Sequence, residues 1–277
     1  MTILVTGGTG NIGGALARLL QAANYPLIIS SRKGVAEPFK AVKFDWSDPS
    51  TFENPFNADP NIDRVFVIAP ISGDALEQTK PFFKVAIEKG VKRFVLITAT
   101  QAEKGDNSQY GKVHEHLANL GVEYTVLRPT WFIENFGQFS HTIRENDEIL
   151  SVTGKGRIPF VSVQDIAKAA FDALTAEKSA NTDYFVIGPE LWSYDDVAAA
   201  LTEVTGRKIV HRLISLEEQL ASFKLWMDEE YAIELNTYEG RIASGIEEKN
   251  VGHPKAITGK HKLRDYLEAN KQLWSKA

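Results

Sequence analysis

Cysteine is absent from the 277 residues, which excludes disulfides, zinc–thiolate sites and cysteine nucleophiles and leaves the redox compartment unreadable from bridges. No run approaches the roughly 20 consecutive apolar residues of a membrane helix. The opening Met1-Thr2-Ile3-Leu4-Val5-Thr6 lacks the basic and long apolar regions of a secretory leader. These absences lead us to expect a cytoplasmic protein without a membrane partner. A basic excess is missing too: the formal net charge is −5, which offers no footprint for a phosphate backbone, and no nucleic-acid partner is expected. His114 and His116 stand two apart and cannot share a helix face, so no metal site is expected either.

With 43% apolar and 24% charged residues, the composition is that of an ordinary folded chain. Apolar segments at 3–6, 26–30, 64–69, 93–98 and 124–128 read as strands. Helical spacing separates them at 11–22, 76–89 and 111–118. Alternating β and α elements predict an α/β fold, a Rossmann-type doubly wound parallel sheet with helices on both faces. Further on, 161–174 and 193–206 read as helices and 184–187 as a strand, and the chain beyond Ser215 reads as mostly helical. The expected organisation is a dinucleotide domain over 1–155, rejoined by segments of 156–190, and a smaller, mostly helical C-terminal cap over 191–277. Glycine, proline and mixed charge at 243–259 predict a mobile loop.

The strongest chemical signal is Gly7-Gly8-Thr9-Gly10-Asn11-Ile12-Gly13 between the first strand and first helix. Gly7 permits a tight turn, Gly10 allows close approach of a pyrophosphate, and Gly13 allows helix to pack on strand. Free N–H groups and the positive end of the helix dipole would face the anion. Thr9, Asn11 and Ile12 join Gly7 and Gly10 as expected cofactor contacts. At the end of the second strand, NAD-specific sites usually place a carboxylate for the ribose 2′-OH. Here stand Ser31, Arg32 and Lys33, which suit a 2′-phosphate and favour NADP(H); the alternative is a solvated basic turn. Asp45 could border the adenine, and Trp46 could do so or belong to the core. By the rule that ligands gather outside the carboxyl ends of parallel strands, Ala69, Pro70 and Ile71 should line the cofactor cleft, and Pro129, Thr130, Trp131 and Phe132 should run past the nicotinamide.

The early Thr6-Gly7-Gly8-Thr9-Gly10-Asn11-Ile12-Gly13, the strand Arg93-Phe94-Val95-Leu96-Ile97-Thr98, and the run from Gly121 through Leu127-Arg128-Pro129-Thr130-Trp131-Phe132-Ile133-Glu134-Asn135-Phe136 together resemble the NmrA-like branch of the atypical short-chain dehydrogenase/reductases. Val161-Ser162-Val163-Gln164-Asp165-Ile166-Ala167 is similar to that family's later strand-to-helix junction. Within the branch, His114-Glu115-His116-Leu117 with the 128–136 run is most similar to the fungal ergot-alkaloid reductases, of the agroclavine dehydrogenase and festuclavine synthase type. The resemblance implies an NADPH-dependent oxidoreductase of indole-alkaloid biosynthesis that delivers hydride to an iminium carbon of a small-molecule substrate. The same branch includes NADP-binding Pictet–Spengler-type cyclases and non-catalytic redox sensors, which stand as alternatives.

Short-chain dehydrogenases typically use Tyr-x-x-x-Lys, the lysine lowering the tyrosine pKa and holding the ribose. Here Tyr110 is followed four residues later by His114, and Lys112 points to another helix face. Thr98 and Thr100, flanking Ala99, lie where the usual serine would be, and these three are expected to touch the cofactor. The degraded motif argues against ketone chemistry; an iminium, already cationic, accepts hydride without protonation of an oxygen. Glu103, Tyr110, Trp131, Phe132 and Glu134 are candidates for an anionic or aromatic environment around that cation. Glu103 or Tyr110 could transfer a proton, against plain surface or core roles for each. His114 is read as a ribose or nicotinamide contact or as a surface histidine. The aromatic residues from Tyr110 to Phe139 suggest an apolar ligand pocket.

Overall fold

The computed structural model describes every residue except Ala36, Phe139 and Ala277, so the part of the aromatic run that falls on Phe139 lies outside the described residues. The first half of the chain alternates as expected: β1 (Thr2–Val5), α1 (Asn11–Ala22), β2 (Leu27–Ser31), β3 (Ala41–Lys43), α2 (Asn54–Ala58), β4 (Ile62–Ile68), α3 (Ala75–Glu88), β5 (Arg93–Ile97), α4 (Gln109–Ala118) and β6 (Glu123–Pro129). It continues through α5 (Asn135–Gln138), α6 (Ser140–Asn146), β7 (Glu148–Ser151), α7 (Val163–Thr175), β8 (Thr182–Ile187), α8 (Tyr194–Thr205) and β9 (Val210–Leu213). The last elements are α9 (Leu216–Phe223), α10 (Glu229–Ile242), β10 (Ala256–Thr258), α11 (Leu263–Ala269) and α12 (Lys271–Trp274).

The main sheet has eight strands in the order β10-β8-β6-β5-β4-β1-β2-β3, and its described pairings are parallel. The run 3-2-1-4-5-6 within it is the Rossmann order, which reverses direction between β1 and β4 and so opens a crevice beyond the carboxyl ends of those two strands. The expected fold class is therefore the observed one. The loop expected at 243–259 needs correction: residues Ala256–Thr258 form the edge strand, Ala256 opposite Phe185 and Thr258 opposite Ile187. Its Gly- and Pro-rich approach hides a strand of three residues, too short to show an alternating pattern.

The chain forms two compact units, Met1–Arg128 with Ile166–Tyr184, and Pro129–Asp165 with Phe185–Ala277. In the first, Phe44, Phe52, Phe56, Phe82, Phe83 and Phe94 build the centre of the core. Edge-to-face contacts such as Phe44 on Phe82 at 5.0 Å and Phe83 on Phe94 at 5.3 Å suit the ring quadrupoles. Half-buried Trp46 packs against this core: its ring lies 4.8 Å from Phe44 and its Nε1 donates to the Ile68 carbonyl at 3.1 Å. The C-terminal carbonyls of α7 are taken up by two arginines from the starts of β4 and β5. Arg64 donates to Leu174 O, and Arg93 donates to Ala176 O at 2.6 Å while pairing with Glu123 at 2.7 Å. These cations satisfy carbonyls that helix geometry leaves orphaned and complement the negative end of the dipole.

The second unit carries a two-stranded parallel sheet of β7 and β9 and a core of Phe136, Phe160, Tyr194, Leu201, Ile242, Leu267 and Trp274. Helix α8 begins with a reciprocal capping box between Ser193 and Asp196 and ends on left-handed Gly206, the start and stop signals that its sequence carries. Among the described residues, no helix is long and apolar enough to cross a membrane.

Candidate functional site

The glycine turn follows β1 and leads into α1. Gly7 adopts φ +62°, a left-handed conformation that a side chain would strain. A Cβ at Gly13 would lie 2.4 Å from the Gly7 carbonyl oxygen and 2.8 Å from the Gly8 Cα, so only glycine lets α1 come this close to the strand exit. At Gly10 the circumstances differ: its extended backbone caps α1 with no side-chain hydrogen bond, and a Cβ there would meet only the Gly7 oxygen, at 3.3 Å. Scaffold does not fill the space over Gly10, and the first turn of α1 holds no acidic residue. That is the arrangement of an anion cradle. Thr6 fixes it against the neighbouring strand, its Oγ1 accepting from the Ile68 N–H at 2.9 Å. The ends of β1 and β4 are thereby joined at the point where the strand order reverses. Beyond β4, Ala69 is buried, Pro70 half-buried and Ile71 exposed.

At the end of β2, Ser31 is the last strand residue and is buried, its hydroxyl donating to the Val35 carbonyl at 3.2 Å. It braces the turn on which Arg32 and Lys33 stand exposed. Asp45 follows β3; hydrogen bonds from the Ser47 amide and hydroxyl hold its carboxyl below the usual range, with a smaller contribution from the charge on Arg32. One buried hydroxyl nearby was not foreseen: Ser30 Oγ, 1% exposed, has no hydrogen-bond partner among the described residues.

Past β5, Thr98 Oγ1 is likewise buried without a partner among the described residues. A buried hydroxyl left unsatisfied by the fold is an invitation to a ligand. The loop that follows winds around Asp106, which accepts from the Glu103 amide at 2.9 Å and from the Ser108 amide and hydroxyl. Ser108 then caps α4, accepting from the Gly111 amide at 2.9 Å, so Tyr110 sits on the helix's first turn, half-buried against the core. His114 lies one turn further on and is enclosed, its ring 6.5 Å from that of Tyr124; it is not a surface histidine.

The hub of this region is Arg128, which the sequence offered only as part of a run. Its guanidinium, 3% exposed, donates to Asp183 at 2.9 Å, to the Thr100 carbonyl at 2.5 Å and to Glu103 at 2.6 Å. Burial alone would lower its pKa, but the hydrogen bonds to Glu103 and Asp183 outweigh burial and hold it raised. Glu103, 67% exposed, is thereby held as one partner of an ion pair.

In the second unit, the segment after β6 is gripped by carboxylates. The Thr130 hydroxyl donates to Glu247 at 3.0 Å and the Trp131 indole to Glu239 at 3.3 Å. Glu134 accepts from the Ser162 hydroxyl at 2.9 Å and from the Val163 amide, the first of α7. Phe132 bridges to Val161, continuing the strand geometry past Pro129. Glu239 and Glu247 were not singled out from the sequence. They are two of 36 acidic residues, and nothing in the pattern around them separates a buried glutamate from a solvated one.

Comparison with known proteins matches this architecture. The chain is 41% identical to agroclavine dehydrogenase of Claviceps fusiformis, over 99% of both chains, and 38% identical to festuclavine synthase I of Penicillium roqueforti, over 99% of this chain and all of that one. In fold it is similar to an NADPH-dependent quinone oxidoreductase of Escherichia coli solved with NADPH, with a TM-score of 0.79 at 20% identity, covering 96% of this chain and 99% of that one. The NmrA-like family model matches residues 1–246, and the chain belongs to the NmrA-like family.

Proposed function

We propose that this protein is an NADPH-dependent reductase of clavine-type indole alkaloids that delivers hydride to the carbon of a cationic C=N group. The observation that carries the reading is the space over Gly10 at the start of α1, an anion cradle that the fold leaves open. Gly7, Thr9, Gly10, Asn11 and Ile12 would hold the pyrophosphate, and Ser31, Arg32 and Lys33 the 2′-phosphate, with Asp45, Ala69, Pro70 and Ile71 alongside. Thr98, Ala99, Thr100 and His114, with Pro129 to Phe132, are assigned to the rest of the cofactor. When bound, NADPH supplies the hydride. The names of the agroclavine and festuclavine relatives support the substrate class.

The missing lysine supports the iminium over the ketone. His114 stands in its place, buried beside Tyr124, so the family's usual means of making tyrosine a proton donor is not present. An iminium nitrogen simply loses its positive charge when hydride reaches carbon, and no proton donor is required. Glu103, paired with Arg128, is assigned an electrostatic part, as negative charge favouring a cationic substrate, and Tyr110 the exchange of any proton. The test is isotopic: purified protein given 4-deuterated NADPH and N-methyl-3,4-dihydro-β-carbolinium, a fixed-charge indole iminium, is expected to place deuterium at C1 of the product amine. NADPH binding without any deuterium in the product would overturn the reading.

A further inference from the structure

A carboxylate shut away from water is costly unless a cation or several donors answer it. Glu239, on α10, is 8% exposed. Around it stand the Trp131 indole N–H, the side-chain amide of Gln219 from α9, and Tyr194 from α8. Gln219 is itself steered by Asn236, one turn back on α10, whose Oδ1 accepts from its Nε2 at 3.2 Å. Glu247 grips the adjacent Thr130. Among the described residues, no lysine, arginine or histidine acts on the Glu239 carboxyl. At Arg128 the fold supplies both partners of a buried charge; at Glu239, among the described residues, it supplies an indole N–H, a side-chain amide and a phenol, and no cation.

We propose that Glu239 is a recognition site for a positively charged nitrogen, completed by the substrate's own iminium or ammonium group with Trp131 as its aromatic wall. The chemistry fits a ligand of this class: a carboxylate supplies the opposite charge, and an indole face attracts a cation through its quadrupole. This assignment rests on the reading above for its substrate class, but its test does not require hydride transfer.

Burial pushes the Glu239 carboxyl up to about 7, against smaller lowering by the Trp131 and Gln219 hydrogen bonds. Tyr194, the titratable group facing it from α8, is itself raised by burial and by the Glu239 charge and stays neutral. Without ligand the carboxyl is therefore mostly protonated at pH 6 and mostly ionised at pH 8. A fixed-charge cation binds the ionised form, so its affinity should rise about tenfold between those two values.

The experiment is calorimetric titration of the NADP⁺-loaded protein with N,N-dimethyl-tetrahydro-β-carbolinium, a quaternary ammonium that cannot be reduced and does not titrate. The expected result is binding that strengthens about tenfold from pH 6 to pH 8 and is weakened at least about tenfold in Glu239→Gln, which keeps the side-chain shape. Equal affinity at both pH values, or equal affinity of the wild-type protein for the cation and for its uncharged carbon isostere, would overturn the assignment. The second comparison uses only wild-type protein and stands even if the variant fails to fold. If this cation binds as expected while the deuterium assay gives no product, the recognition site survives and the reductase reading falls; the reverse pattern removes the site alone.

Discussion

Glycines 10 and 13 separate a ligand's demand from a scaffold's demand within a single turn of chain. At Gly13 an added methyl would sit 2.4 Å from one backbone oxygen and 2.9 Å from the carbon that bears it. Neither atom can rotate away, so helix and strand must part. Overpacking of this kind costs about 1–3 kcal/mol, which for a chain of this size lowers Tm by roughly 2–10 °C. At Gly10 the same methyl meets a single atom at 3.3 Å, and the backbone φ of −83° is open to any residue. Gly10→Ala should therefore destabilise less than Gly13→Ala, and its main effect should appear when ligand arrives. A methyl occupying the anion's place displaces at least one charge-assisted hydrogen bond, worth about 1.5–3 kcal/mol, or roughly 10- to 100-fold in Kd. Scanning calorimetry and NADPH fluorescence titration on the two variants make the comparison. Unchanged NADPH affinity in Gly10→Ala would refute the cradle, whatever Gly13→Ala does.

Other expectations follow from the same structure. Replacing both Arg32 and Lys33 by alanine should cut the preference for NADPH over NADH at least about tenfold, read from the two dissociation constants, because both charges that could meet the 2′-phosphate are gone. Arg128→Met leaves Asp183 without its buried counter-charge and should lower stability by about 3–5 kcal/mol in urea unfolding. For Glu239, whose carboxyl moves from 4.5 to about 7, the raised value means that the protonated form is the one folding favours. This group's contribution is full below pH 4.5 and is lost as pH rises through 7, an effect of about 3 kcal/mol. The fall in ligand-free stability between pH 5 and pH 8 should accordingly be smaller in Glu239→Gln than in the wild type. Finally, Ser151 Oγ, His211 and Asp195 form a hydrogen-bonded series at 2.8 and 2.9 Å that has the order of a hydrolytic triad. Ser151 is buried, though, and also hydrogen-bonds the Thr153 hydroxyl, so no ester should be cleaved; p-nitrophenyl acetate hydrolysis lost on Ser151→Ala would contradict this.

The parts of the fold written in short-range pattern were legible in the sequence. Apolar blocks gave β1, β4 and β5, the glycine spacing gave the turn, and Ser193 with its acidic first turn gave α8. What depends on distant partners was not. That Trp46 packs on the core was not readable, because Phe82 reaches it from α3. Arg128 could be read as a motif letter but not as a hub, because Asp183 joins it from 55 residues away. Strand β10 is three residues long and takes its place from β8, while Glu239 owes its burial to helices whose packing no local pattern announces.

The anchoring of residues 130 to 134 bears on how this protein could acquire new specificity. Glu239 and Glu247 reach in to Trp131 and Thr130, and Glu134 reaches out of the segment to Ser162 and the Val163 amide, so a change at Thr130, Trp131 or Glu134 breaks a contact and demands a matching change elsewhere. Directed evolution of substrate range should stall on that segment. The exposed aliphatic and aromatic positions Leu225, Trp226 and Ile233 carry no such constraint, and replacement there leaves no polar group stranded.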